Sequence, residues 1–289
     1  MNPTSLVERD LSWFAQRVLR GQTEIFSEIV TLTPAIAHHI LENNPSNRSI
    51  DQRIVDRMAR DMRESRWQLN GETIVIARTG ELNDGQHRLW AIIEADLPVQ
   101  CVMTFGVTRS SRLTVDSGRV RSFANYVGMD GGKNSTHMAR TVTLWLTWSK
   151  GLTDKAAKVN AFSKAELMEV YQSRRVKFDH ALEVALVLRK IAQPSVFATA
   201  YAILWEADSI HVDGFFTMLN EGSNLDRDDP ILVLRNRLTT GAPLTGLEKL
   251  ELILRHWNAW KEGKRLSKAM PILGSWPAVV HRDGRKHSN

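Results

Sequence analysis

A turn that carries a carboxylate, an amide, an imidazole and a guanidinium in a row is the part of this sequence best suited to chemistry. Its residues are Asp84, Gly85, Gln86, His87 and Arg88. The β-branched run at 73–77 favours a strand before the turn, and the run at 89–94 favours a helix after it. The free N–H groups and the dipole at such a helix start favour an anion, and a His and an Arg there add donors suited to phosphate oxygens. The pattern therefore predicts an anion site.

A structural interpretation of the same residues stays open at this point. Asn83-Asp84-Gly85 is also a strong turn pattern. Asp84 could be only a helix N-cap, with His87 and Arg88 as ordinary solvated helix residues. Local chemistry alone does not separate these two interpretations.

A second cluster of donors follows the next predicted strand. It consists of Asp116, Ser117, Arg119, Arg121 and Ser122, around a glycine and before a short helix. We interpret it as a second anion site, and the alternative is a capped turn with exposed charges. The loop at 130–134 lacks the ending of a Walker-type phosphate loop, because Lys133 is followed by Asn134.

The elements that must position the first turn predict an α+β domain at 23–127. Phe26 to Leu32 alternates as a strand, Thr33-Pro34 starts a helix, and Ser49 with Gln52 forms a capping-box pattern for the next helix. Residues 73–83 predict a β-hairpin, and Val99 to Phe105 a buried strand. The charged face of the second helix mixes arginines with acids, so we interpret it as solvated; its arginines are Arg53, Arg57, Arg60 and Arg63.

The rest of the chain divides into three predicted parts. Residues 1–22 form an N-terminal extension with a short amphipathic helix, 135–262 an all-helical domain, and 263–289 a basic tail. Helix starts are predicted at Ser163 with Glu166, at Pro194, at Asp229-Pro230 and at Thr245 with Glu248. The histidines have no metal-ligand spacing, so we assign no metal ligands.

Composition narrows the class of protein. The chain has 289 residues, 43% hydrophobic and 24% charged, which is typical of a globular protein. A single cysteine, Cys101, excludes an internal disulfide framework. The sequence has no apolar run of membrane-spanning length, so we expect a cytoplasmic protein without a membrane partner. Residues 261–289 carry seven Lys or Arg against two acids, which is +5 of the formal net charge of +6. Such a segment could attract DNA, or could be a solubilising, disordered terminus.

The turn and its surroundings resemble the ParB/sulfiredoxin-like superfamily, and most of all its phage-type ParB-like members with a DGQHR motif. The resemblance rests on Asp84–Arg88 together with Thr33-Pro34, Asn44 to Arg48, Trp67, Asn70-Gly71 and Asp116–Ser122. It implies a small mixed sheet with helices, followed by an all-α domain. It also implies that a nucleoside triphosphate, ATP or CTP, binds at the turn through Gly85, His87 and Arg88. Gln86 stands where sulfiredoxin has its reactive cysteine, so we do not expect that reductase chemistry.

Three functions are compatible with this resemblance. The first is a phosphohydrolase or phosphotransferase in DNA metabolism or modification, with Arg119 or Arg121 closing on the triphosphate and Gln86 orienting a water or a phosphate. Asp84 or Glu81 is then a candidate to hold Mg²⁺ or to act as a base, and either could be purely structural. The second is a non-catalytic DNA-associated regulator for which the nucleotide is a switch ligand, and the third, ranked last, is a nuclease. A homodimer is compatible with all three.

Overall fold

A four-stranded sheet and the helices that cover it organise the first half of the chain. The computed structural model describes residues 3–44, 49–114, 122–153 and 162–287, and it divides into two units, Met1–Val120 and Arg121–Asn289. The predicted mixed α+β class is confirmed, with twelve α-helices and one four-stranded sheet in the described part of the chain. None of these helices is long and apolar enough to cross a membrane.

Unit 1 contains four helices and four strands in its described part. In chain order they are α1 (Pro3–Gly21), β1 (Phe26–Leu32), α2 (Pro34–Glu42), α3 (Gln52–Arg63), β2 (Thr73–Ala77), β3 (Leu82–Asp84), α4 (Gln86–Ala95) and β4 (Val99–Val107), followed by a 3₁₀ turn at Arg109–Thr114. The strand order in the sheet is β1-β4-β2-β3. β4 pairs antiparallel with β1 and parallel with β2, so the sheet is mixed, and β2 and β3 form the predicted hairpin.

Local sequence signals explain most of these boundaries. The Thr33 hydroxyl caps α2 by accepting a hydrogen bond from the Ile36 backbone N–H, and Pro34 occupies the first helical position, as predicted. The predicted capping box of α3 is wrong. Asp51, and not Ser49, is the N-cap, because its carboxylate accepts from the Arg53 backbone N–H.

The N-terminal helix contributes to the core of unit 1. Phe14 of α1 is 6% exposed and lies in the same buried cluster as Leu32, Ile76 and Phe105 from the sheet. The rings of Phe14 and Phe105 are 6.2 Å apart. Residues 1–22, predicted as an extension, thus include a helix that packs on the sheet.

Unit 2 is helical apart from one short pair of strands. In chain order its described elements are α5 (Phe123–Met129), α6 (Ser135–Ser149), α7 (Lys164–Ser173), α8 (Arg175–Val187), α9 (Pro194–Ala207), α10 (Val212–Glu221), α11 (Pro230–Thr240), α12 (Gly246–Lys261), β5 (Val279–Val280) and β6 (Lys286–His287). The capping boxes at Ser163 with Glu166 and at Thr245 with Glu248 are confirmed. α9 is the central helix, since almost every residue of it is buried.

The segment after α12, predicted as a basic tail, folds back onto the helices over its described part. Val279 and Val280 are 3% and 4% exposed, and the Trp257 indole N–H donates to the Val280 carbonyl at 3.1 Å. The apolar residues that make this packing lie between basic residues, so the basic composition of the segment did not predict it. This segment is therefore part of the fold of unit 2.

Candidate functional site

The predicted turn forms one wall of a cleft in unit 1. The cleft has a volume of about 580 Å³, and all five residues from Asp84 to Arg88 line it. Three residues of α3 also line it, and so do four residues at or just before the start of β2: Ile54, Arg57, Met58, Gly71, Glu72, Thr73 and Val75. The fold therefore brings the predicted first site together.

Gly85 is required by both its conformation and its surroundings. Its φ of 104° lies in the left-handed region, and a Cβ there would come within 2.9 Å of Ile74 Cγ1. Gly85 is also the N-cap of α4, which has no side-chain cap. Asp84 is the last residue of β3, so the alternative interpretation of Asp84 as the N-cap is wrong. The start of α4 thus opens into the cleft with its dipole uncapped by any side chain.

Gln86 and His87 are held by unit 1 on the side of α2 and α3. Gln86 is 6% exposed, and its Oε1 accepts a hydrogen bond from Asn44 Nδ2 at 3.2 Å. His87 is 7% exposed, and its Nε2 accepts from the Asp51 backbone N–H at 3.1 Å. Because Nε2 accepts this bond, it carries no proton, and the neutral ring has its proton on Nδ1.

Arg88 lies at the base of the cleft beside Asp84. It is 8% exposed, and its Nη2 donates to Asp84 Oδ2 at 3.3 Å, one turn earlier in the chain. A guanidinium has five N–H donors, so a single carboxylate contact leaves donors for a second oxyanion.

Cys101 of β4 interacts electrostatically with Arg88. Burial raises the pKa of the Cys101 thiol to about 11, and the positive charge of Arg88 only partly opposes this effect. Cys101 is therefore a protonated, unreactive core residue.

Two residues of the cleft were not predicted from sequence. Arg57 belongs to the face of α3 that we interpreted as solvated, yet it lines the cleft and has no hydrogen bond or ion pair with any other described residue. Glu72 also lines the cleft, and its carboxylate has no partner among the described residues. Only the packing of α3 and β2 around α4 shows their position, since neither belongs to a local motif.

The other predicted site residues lie elsewhere. Glu81 accepts a hydrogen bond from the Thr79 hydroxyl at 2.6 Å and faces Arg109 Nε at 4.0 Å, and it does not line the cleft. Ser122 is exposed and caps α5 in a capping box with Asn125. The remaining members of the second cluster, Asp116, Ser117, Arg119 and Arg121, fall outside the described residues.

The acidic residues of the cleft are compatible with Mg²⁺ only in the presence of a phosphate ligand. Asp84 and Glu72 are its two carboxylates, and the described part of the chain contains no group of three or more His, Cys, Asp or Glu suited to a metal ion. Mg²⁺ in proteins commonly takes one or two carboxylates together with phosphate oxygens and water. These residues thus fit the ion in that mode.

Comparison with known proteins gives no family for this chain. Its sequence matches no family model, no curated protein and no solved structure.

Proposed function

We propose that the cleft in unit 1 binds the phosphates of a nucleoside triphosphate, ATP or CTP, and that the protein is a ParB-like phosphohydrolase or phosphotransferase acting in DNA metabolism or modification. The observation that carries this proposal is the start of α4 at Gly85, which has no side-chain cap and lies in a cleft that Arg57 and Arg88 also line. Backbone N–H groups and a helix dipole at such a position stabilise a bound oxyanion.

The charges of the cleft fit a phosphate that brings a cation with it. Arg57 and Arg88 are offset by Glu72 and Asp84, so the side chains of the cleft are close to neutral overall. A bare triphosphate would face both carboxylates, whereas Mg²⁺ bound between phosphates and carboxylates would remove that repulsion. We therefore expect nucleotide binding to depend on Mg²⁺.

Two groups of residues have different parts in this proposal. Arg57 and Arg88 stabilise negative charge on the transferred phosphoryl group, which is the main requirement of phosphoryl transfer. Gln86 and His87, held by Asn44 and Asp51, fix the turn relative to α2 and α3. Glu72, whose carboxylate has no partner among the described residues, is the best candidate to orient the attacking hydroxyl or water.

A regulator that binds nucleotide without turnover is the second candidate. One observation favours it: Asp84, Gln86 and His87 are each engaged in a hydrogen bond with the surrounding protein. Groups held in this way build a rigid binding site but are poorly placed to take a proton from a nucleophile. In that case the nucleotide would act as a switch ligand for DNA association.

Titration with ATP, CTP and GTP, with and without Mg²⁺, tests binding. Arg88→Ala removes a charge-assisted contact worth about 1.5–3 kcal/mol, so we expect a roughly tenfold to hundredfold weaker affinity. Arg78→Ala is the matched control, because Arg78 is exposed in unit 1 and does not line the cleft. Equal affinity of Arg88→Ala and the wild type would show that the cleft is not the phosphate site.

Release of phosphate separates the two candidates. Turnover above that of the Arg88→Ala variant, and reduced in Glu72→Gln when nucleotide and Mg²⁺ are saturating, supports the enzyme. Tight binding without turnover, in the presence and absence of DNA, supports the regulator. Glu24→Gln, an exposed acidic residue beside β1, controls for the loss of one negative charge in the same unit.

A further inference from the structure

A second cleft, in unit 2, has no role in the function proposed above. It has a volume of about 770 Å³ and lies at the junction of α7 and α8, with α9 as its floor. Its lining includes Arg174, Lys177, His180, Tyr201 and Trp205. A volume in this range is typical of sites for small organic ligands.

Three cations line this cleft, and acidic partners hold all of them; Arg175 pairs with Asp130 and Asp179. Arg174 and Lys177 both donate to the same oxygen of Glu206, Lys177 at 2.7 Å. The Arg174 guanidinium also lies 4.1 Å from the centre of the Trp145 ring, and Lys177 Nζ lies 5.0 Å from that of Trp205. Arg174 and Lys177 therefore share one carboxylate, and each keeps N–H donors that can bind an anion.

The floor of the cleft carries an ordered polar chain. The Tyr201 hydroxyl donates to Asp213 Oδ1 at 2.7 Å, so it accepts at 3.0 Å from His180 Nε2. Tyr201 is 1% exposed, whereas His180 is exposed and has its Nδ1 edge left for a ligand. The fixed ring edge of His180 can form a hydrogen bond with the polar edge of a planar ligand group.

Trp205 adds an aromatic surface at the same place. It is 40% exposed, although most residues of α9 are buried. An exposed tryptophan beside a fixed cation is the combination that binds the base and the phosphate of one nucleotide, and stacking on such a ring contributes about 1–3 kcal/mol per base. The remaining residues of the lining are Gln172, Ser173, Arg175 and Val176.

We propose that the cleft between α7, α8 and α9 binds one nucleotide, with its phosphate on Arg174 and Lys177 and its base on Trp205. The nucleotide could come from a free mononucleotide or from the 5′-phosphorylated end of single-stranded DNA, since both present the same chemistry. This site stands on the described residues of unit 2 and does not depend on the cleft at Gly85.

Two probes distinguish the sources: dTMP by calorimetry, and a 3′-labelled single-stranded DNA with or without a 5′-phosphate by fluorescence anisotropy. Binding is measured on the full-length Arg88→Ala variant, so that the cleft in unit 1 does not compete for phosphate. We expect Lys177→Gln to weaken binding roughly tenfold and to lower the salt dependence by about one phosphate contact. Arg189→Gln with Lys190→Gln, exposed positions after α8 that do not line the cleft, should leave binding unchanged.

Trp205 supplies the independent test of stacking. Trp205→Leu should weaken binding roughly tenfold, and Trp205→Phe should restore most of it, because Phe keeps an aromatic face. Binding of neither probe at millimolar concentration would overturn the proposal, and so would an equal loss in the Arg189 and Lys190 control. Thermal unfolding of each variant checks that unit 2 is still folded. Lys177→Gln should fold, because Glu206 stays paired with Arg174.

Discussion

Single side chains in unit 1 are constrained most tightly where the turn meets β2. Gly85 lies against Ile74, and its neighbours Gln86 and His87 are fixed by Asn44 and Asp51. These contacts join the turn to α2, α3 and β2 at once. The geometry of the proposed phosphate site therefore depends on the backbone at position 85 more than on any one charged group.

Gly85→Ala is expected to destabilise unit 1 by about 1–3 kcal/mol, because the new Cβ meets Ile74 at 2.9 Å and the φ of 104° is strained for alanine. Urea unfolding followed by circular dichroism measures the loss. Gly71→Ala is the control in the same cleft, since a Cβ there has no atom within 4 Å. Equal stability of the two variants would contradict this account of Gly85.

The turn itself could be predicted from sequence, but two of its partners could not. Asp84 to Arg88 are consecutive, and a strand and a helix flank them, so the local pattern was enough to predict the strand–turn–helix geometry. Arg57 and Glu72 come to the cleft only through the packing of α3 and β2 against α4. The polar chain of His180, Tyr201 and Asp213 was missed for the same reason, because it joins three helices.

At the scale of elements, helix starts were predicted well because caps are local. Ser163 and Thr245 each lie three residues before a glutamate that completes the box. Ser49 failed as a cap because Asp51 is two residues closer to the helix and takes that place.

The sequence pattern could not show how α12 binds the segment that follows it. His256 of α12 is fully buried and accepts a hydrogen bond from the Met270 backbone N–H through Nε2.

His256 is expected to make unit 2 less stable in mild acid. Burial lowers the pKa of His256 to about 4 from 6.5, although its hydrogen bond to the Leu252 carbonyl opposes the shift. A histidine whose folded pKa is lowered contributes stability above its unfolded pKa and loses it as the pH falls from about 6.5 towards 4. The full loss is on the order of 3 kcal/mol, at about 1.4 kcal/mol per pKa unit.

The free energy of unfolding in urea, measured at intervals from pH 7 to pH 5, checks this expectation. His256→Gln should flatten the pH dependence, because glutamine does not titrate. His38→Gln, at an exposed histidine of α2, should leave the dependence as in the wild type. If His256→Gln kept the full slope, another group would be responsible.

At the scale of the whole molecule, the C-terminal segment carries most of the net positive charge and also packs onto the helices of unit 2. Its basic residues are compatible with a DNA contact or with a solubilising terminus, yet Val279 and Val280 between them are buried. The Trp276 indole N–H also donates to the Leu152 carbonyl at 2.8 Å, before α7. A deletion of this segment would therefore test folding and DNA binding together.

Deletion of residues 264–289 is expected to destabilise unit 2 by several kcal/mol, because burial of each valine contributes about 1.5–3 kcal/mol. Arg282→Gln with Arg285→Gln should instead cost about 0.5 kcal/mol or less, since both side chains are exposed. Thermal unfolding compares the two variants. Only the double substitution can then be used to ask whether the segment contacts DNA. If Arg282 and Arg285 contact DNA, the double substitution lowers the salt dependence of binding, whereas an unchanged dependence excludes these two arginines.

The single buried cysteine gives the chain a natural reporter of motion. Cys101 lies on β4, at the centre of the sheet, and its thiol can be labelled only when unit 1 opens. The rate of labelling in native buffer therefore measures the free energy of that opening, with no signal from unit 2. A ligand that binds beside Arg88 should slow the labelling in proportion to its affinity and concentration, and this protection would report occupancy of the cleft without any turnover.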